Sequence, residues 1–244
     1  MSERLRLDKY LLDTGAMNSR SEAQAAIEAG LVQVNGEVVR KASHKVSSED
    51  AITSDKLHPY VSRAALKLKG ALEIFQIKID GTKALDVGCS TGGFTEVLLE
   101  AGAAHVYAVD VGTDQFHERL RGHERITLFE QTDARRLTRD QVPEGVDLIV
   151  CDASFIGLEK VLDPAISFLK SDGNAILLFK PQFQVGRKAV GKGGIVTDQF
   201  AIDAAKEALS AWLEANGFVI KGWQPSSVKG SDGNQEWLVW AWKR

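Results

Sequence analysis

Lys83 to Phe94, KALDVGCSTGGF, is the stretch on which the fold turns, read together with Val106 to Asp110, VYAVD. The first reads as a buried strand, a glycine-rich turn and the start of a helix. The second reads as a strand ending in a carboxylate. A doubly wound α/β sheet begins this way, with its ligand outside the carboxyl ends of the strands. The glycines let a ligand approach the backbone closely. Asp110 stands where an acidic side chain accepts from ribose hydroxyls. The dinucleotide fingerprint G-x-G-x-x-G is not met, because Ser90 takes the place of the middle glycine. An NAD-linked oxidoreductase is disfavoured on that ground. Asp86, just before the turn, would repel a diphosphate and suits a cationic ligand.

The amino group of S-adenosylmethionine (SAM) is such a cation. The D-x-G-x-x-x-G-G-F pattern resembles the first motif of class I SAM-dependent methyltransferases. An α/β domain with another ligand, or none, is the plain alternative for this stretch alone.

A chain of 244 residues makes one large or two modest domains. The formal net charge of -3 announces no global basic field, so RNA affinity would rest on local patches. Two cysteines, Cys89 and Cys151, build no disulfide framework and fit a reduced, cytoplasmic setting. The charged start MSERLRLDKY has no apolar signal core. No apolar run approaches the ~20 residues of a membrane helix.

Residues 1–58 read as a compact unit. Leu7, Leu11 and Leu12 share a short helix. Ser19 caps a second helix, with Glu22 at the capping-box position and Gly30 as its stop. LVQVNGEVV reads as a hairpin turned at Asn35-Gly36, with further strand positions at Val46 and Ile52. Residues 53–60, TSDKLHPY, read as a linker.

In residues 59–244, Val61, Ala65, Leu68, Leu72 and Phe75 form a helical apolar stripe. Lys67 falls on a different face and reads as a solvated charge. Alternating elements then predict a mostly parallel sheet. Its strands are expected at 83–87, 105–110, 126–130, 146–151 and 174–180. Helices are expected at 94–101, near 158–169 and at 199–215. The last strands are expected at 218–224 and 236–242. Asp152 closes VDLIVCD, and Lys180 closes AILLFK before Pro181. Both therefore fall on the rim of the ligand crevice. If the last strand is antiparallel, Glu236 joins them there; it could equally be an end cap.

These motifs resemble known families. RLDKYL…SRSEAQAAIEAGLVQVNGEVV is similar to the S-four-type RNA-binding domain, which implies phosphate contacts from Arg4, Arg6, Lys9, Arg20, Arg40 and Lys41. VSRAALKL, CDASF, FKPQF and GNQEW follow the order of the K-D-K-E tetrad in FtsJ-like ribose 2′-O-methyltransferases. The combination resembles the TlyA (hemolysin A) family, although LHPYVS departs from the R-x-W-V linker pattern of an actinobacterial member.

The resemblance implies a class I SAM-dependent methyltransferase: an α/β, Rossmann-like fold with a mostly parallel sheet and an antiparallel last strand. A small α+β RNA-binding domain precedes it. The implied tetrad is Lys67, Asp152, Lys180 and Glu236, acting on ribosomal RNA or ribosomal subunits without a metal. Asp86, Gly88, Ser90, Gly92, Gly93 and Phe94 would hold the methionine side of SAM. Asp110 would hold the ribose. Asp133 and Ala134 would flank the adenine, with a helix N-cap as the other reading of Asp133. Two rival functions stand beside this one: a non-catalytic RNA-binding protein on a methyltransferase-like fold, and a membrane-lytic hemolysin.

Overall fold

The computed structural model describes residues 4–17, 19–55, 58–230 and 232–244. The chain forms two compact units, Met1–Pro59 and Tyr60–Arg244. The linker reading at 53–60 includes Lys56 and Leu57, which lie outside the described residues.

The first unit runs β1 (Leu5–Arg6), α1 (Leu7–Asp13), α2 (Arg20–Ala29), β2 (Val32–Val34), β3 (Glu37–Val38), β4 (Lys45–Val46) and β5 (Ile52–Ser54). Ser19 Oγ accepts the Glu22 N–H at 3.1 Å, which satisfies one of the donors left open at the start of α2. Asn35 and Gly36, at φ 53° and 84°, turn β2 into β3 in the doubly left-handed conformation that matches strand twist. Leu7, Leu11, Ala26, Ile27, Val32 and Val46 form the core. Leu12 is partly exposed, off the face it was expected to share with Leu7 and Leu11. The pairing of β1 with β4 has no local signal in the sequence.

The second unit opens with α3 (Ala64–Phe75). It continues with β6 (Lys83–Val87), α4 (Gly93–Glu100), β7 (His105–Val109), β8 (Ile126–Phe129), β9 (Val146–Cys151) and α5 (Leu158–Leu162). It closes with β10 (Leu169–Phe179), α6 (Pro181–Gln184), α7 (Gln199–Ala215), β11 (Phe218–Pro225) and β12 (Trp237–Lys243). The sheet order is β11-β12-β10-β9-β6-β7-β8. Strand β12 is antiparallel to both of its neighbours, and the pairs from β10 across to β8 are parallel. Central strands are buried on both faces, which explains runs such as Leu148-Ile149-Val150. Each such side chain contributes about 1.5–3 kcal/mol relative to exposure.

Further expectations change in this unit. The helix near 158–169 stops at Leu162. Pro164 follows, a 3₁₀ turn covers Ala165–Phe168, and β10 begins at Leu169 rather than 174. Asp163 is still helical, but Pro164 has no N–H to donate back along the helix, so the ladder of hydrogen bonds is interrupted there. Lys67, expected to be solvated, is 9% exposed and shares the buried side of α3 with Ala65, Leu68 and Ala71.

The chain leaves β6 for β7 and β8 on one side, then returns to β9 on the other. The carboxyl ends of β6 and β9 therefore flank a topological switch point, where open α/β sheets bind their ligands.

Candidate active site

At that switch point lies a cavity of about 480 Å³, a size ordinary for a small-molecule site. Gly88, Ser90, Asp110, Asp133, Ala134 and Asp152 line it. Gly88 has φ 80°, and a Cβ there would stand 2.9 Å from Ala153 Cα, so the turn after β6 requires glycine. Asp110 follows β7 directly and accepts the Ser90 N–H at 2.8 Å and the Gly112 N–H at 2.7 Å. Its carboxylate thus ties the two loops at the cavity mouth together and keeps further lone pairs for a ligand.

Asp133 lines the cavity and also caps a 3₁₀ turn, accepting the Arg135 N–H at 3.0 Å. Its pKa is lowered, first by the hydrogen bond from the Arg135 side chain.

The remaining loop residues do not line the cavity. Phe94, on α4, is buried in the cluster that also holds Ala65 and Leu68 of α3. A Cβ on Gly92 would meet Leu120 and Phe116; one on Gly93 would meet Ser62 Oγ and, at 3.1 Å, Ala65 N. These glycines let α4 pack closely.

Asp86 is fully buried. Its Oδ2 accepts from Thr95 Oγ1 at 2.7 Å, while Oδ1 has no hydrogen-bond partner among the described residues. Burial pushes its pKa up from 3.8 to about 7, against the hydrogen bond from Thr95. The fold therefore retains a proton that the unfolded chain has released. This contribution to stability is complete below pH 3.8 and is lost as pH rises towards about 7. Replacing Asp86→Asn should flatten the decline of Tm across that window. Equal Tm slopes in mutant and wild type would rule out Asp86 as the titrating group.

The tetrad residues come together as two lysine–carboxylate pairs. Lys180 follows β10 in an extended conformation before Pro181, and its Nζ lies 2.6 Å from Asp152 Oδ1. It also donates to Ser154 Oγ at 2.7 Å and to the Asp152 carbonyl at 3.1 Å. Lys67 Nζ donates to Glu236 Oε2 at 2.5 Å, with both side chains nearly buried. Glu236 precedes β12 rather than beginning it. Because β12 is antiparallel to β10, this start lies beside the end of β10 that carries Lys180. Burial raises the Glu236 pKa despite the pull of Lys67 and Lys180.

Sequence reasoning did not single out Ser154, Phe155, Gln115 or Arg135, all of which line the cavity. Phe155 is 90% exposed with φ 66° and packs on Phe183 at 5.1 Å between ring centroids. An aromatic directly after CDAS was the available signal.

In the first unit, Asp8 is buried beneath Arg6 and Arg20, with Arg6 Nε at 2.9 Å and Arg20 Nε at 3.0 Å. Gln24 Nε2 adds a third side-chain donor at 2.8 Å. These bonds, that of Arg6 foremost, hold the Asp8 carboxyl well below the usual carboxylate range. Arg40 donates to the Glu28 carbonyl at 2.7 Å. Arg4, Lys9 and Lys41 are exposed.

Residues 60–243 match the FtsJ-like methyltransferase family, and residues 5–52 match the S4 domain. The 16S/23S rRNA (cytidine-2′-O)-methyltransferase TlyA of Mycobacterium tuberculosis is 41% identical over 242 residues, covering 98% of this chain and 90% of that protein. The 23S rRNA (cytidine-2′-O)-methyltransferase TlyA of Campylobacter jejuni is 37% identical over 241 residues, covering 91% and 93%. A solved structure from Streptococcus thermophilus that carries a hemolysin name superposes with a TM-score of 0.79 at 34% identity, covering 100% of this chain and 90% of that one. With the family model matched over residues 60–243 and relatives matched over nearly its full length, the chain belongs to the TlyA family of FtsJ-like methyltransferases.

Proposed function

We propose that this protein methylates a ribose 2′-hydroxyl of ribosomal RNA with Lys180 as the base. The family membership carries the reaction, and the Lys180–Asp152 pair beside the cavity supports the residue assignment. The fold and family imply SAM as methyl donor. When bound, SAM supplies an electrophilic methyl group on a sulfonium.

The residues present fit that ligand. Three carboxylates, Asp110, Asp133 and Asp152, line one cavity and suit a ligand with cationic and hydroxyl groups. The unpartnered Oδ1 of Asp86 lies at the end of β6, beneath the Gly88 turn. Gly88 and Ser90 would hold the methionine side, Asp110 the ribose, and Asp133 with Ala134 the adenine.

A ribose hydroxyl is a weak nucleophile and must lose its proton as it attacks. A neutral amine at Lys180 accepts that proton. Asp152 orients the amine. Orientation is its contribution to the reaction. Glu236 holds Lys67 in place by the same kind of pairing. The exposed cations of the first unit, together with Arg6 and Arg20 oriented by Asp8, form the RNA-facing set.

Methyl transfer from labelled SAM to ribosomal subunits from a strain lacking the gene tests the reaction. Transfer to ribose 2′-oxygens is expected. SAM binding without transfer would favour the non-catalytic RNA-binding alternative. For the cofactor residues, Asp110→Ala should weaken SAM affinity with the fold retained. Unchanged affinity by calorimetry would remove Asp110 from the site.

A further inference from the structure

Lys180 is not at the surface of the cavity. It is 8% exposed and absent from the cavity wall, whereas Asp152 and Ser154 form part of that wall and Ser154 is exposed. The ammonium has three N–H donors. It donates to Ser154 Oγ at 2.7 Å and to the Asp152 carbonyl at 3.1 Å, and Asp152 Oδ1 lies 2.6 Å away as an ion pair outside hydrogen-bond geometry. To act as a base Lys180 must be neutral, with two donors and one lone pair. A carboxylate and a carbonyl can only accept, so neither can face that lone pair favourably. A hydroxyl both donates and accepts. The two remaining N–H groups can keep the two Asp152 oxygens, but of the three neighbours only Ser154 can donate to the lone pair of the neutral amine.

We infer that Ser154 is a catalytic proton relay between the ribose 2′-hydroxyl and Lys180. This rests on Lys180 being the base. As the 2′-oxygen takes the methyl group, its O–H bond breaks and the proton bonds to Ser154 Oγ. The original Ser154 O–H bond breaks at the same time, and that proton bonds to the Lys180 Nζ lone pair. The electron pair of the broken C–S bond stays on sulfur. The positive charge lost there reappears on the Lys180 ammonium, which Asp152 Oδ1 and the Asp152 carbonyl already face. Ser154 ends as a neutral hydroxyl and is not consumed.

The test compares full-length wild type, Ser154→Ala, Ser154→Thr and Lys180→Ala. It uses single turnovers on ribosomal subunits lacking the modification, in mixtures of light and heavy water. Because Ser154 is exposed, its truncation spares the core. Ser154→Ala should lose about 10²-fold, the low end of general acid–base contributions, with SAM affinity by calorimetry unchanged. Its rate should depend linearly on deuterium fraction, where wild type curves because two protons move. Ser154→Thr, which keeps the hydroxyl, should restore most of the rate and the curvature. A wild-type rate in Ser154→Ala, weakened SAM binding in that variant, or curvature that survives the loss of the hydroxyl would each overturn the relay. If Lys180→Ala is inactive while Ser154→Ala is active, the relay falls and the base assignment stands. Activity in both variants removes the base assignment, and the relay with it.

Discussion

Lys180→Ala should lower single-turnover methyl transfer by about 10²–10⁴-fold, the range of a general base, and leave SAM affinity near that of wild type. The second half follows from geometry. Lys180 lies behind Asp152 and Ser154 rather than in the cavity wall, so its removal deletes no group expected to hold SAM. Lys180→Arg separates the base from a mere positive charge. A guanidinium stays protonated and cannot take the hydroxyl's proton, although it would still pair with Asp152. If Lys180 served only to hold a phosphate or to neutralise Asp152, arginine would rescue. Near-wild-type transfer by Lys180→Arg at saturating SAM and protein would move the base to Lys67 or to water.

Glu236→Ala should be the most destabilising single change at the site. It leaves the Lys67 ammonium, with a side chain only 10% exposed, without its carboxylate. Removing one partner of a buried pair typically costs about 3–5 kcal/mol, because the remaining charge stays desolvated and unpaired. The urea midpoint should fall, with the slope of the transition unchanged. Replacing both members by methionine avoids the stranded charge and should recover most of that stability, while transfer remains lost. If Glu236→Ala alone unfolds at the wild-type midpoint, the pair holds no strain of this kind, and Lys67 has found water.

The elements whose signals are local were legible in the residues. Ser19 and Gly30 bound α2, and Asn35-Gly36 turns β2 into β3. The apolar spacing of Ile202, Leu209 and Leu213 marks α7 over Gln199–Ala215. Each depends on contacts within a few residues, so spacing and turn chemistry suffice. Asp152 and Lys180 could be placed on the rim for a related reason: strands that alternate with crossovers must end on one side of the sheet.

Partnerships across the fold were beyond that reach. Helical periodicity sets Lys67 apart from its apolar stripe. Burial comes instead from Glu236, 169 residues away, which the antiparallel register of β12 on β10 brings to it. The same holds for Asp86, Gly92, Gly93 and Phe94. Motif position alone gave them to the ligand. What the tertiary structure adds is that Asp86 is buried and bonded to Thr95, and that the glycines make room for Ser62, Ala65 and Phe116. Ser154 reaches Lys180 only because β9 and β10 are adjacent and parallel, which brings residues 26 apart within 2.7 Å. The sequence by itself determined the strand and helix types, the turns, the family and the rim on which the chemistry lies. The tertiary structure alone decided which charged groups are desolvated together and which hydroxyl faces the lysine, because crossovers and strand register set those distances and no local pattern encodes them.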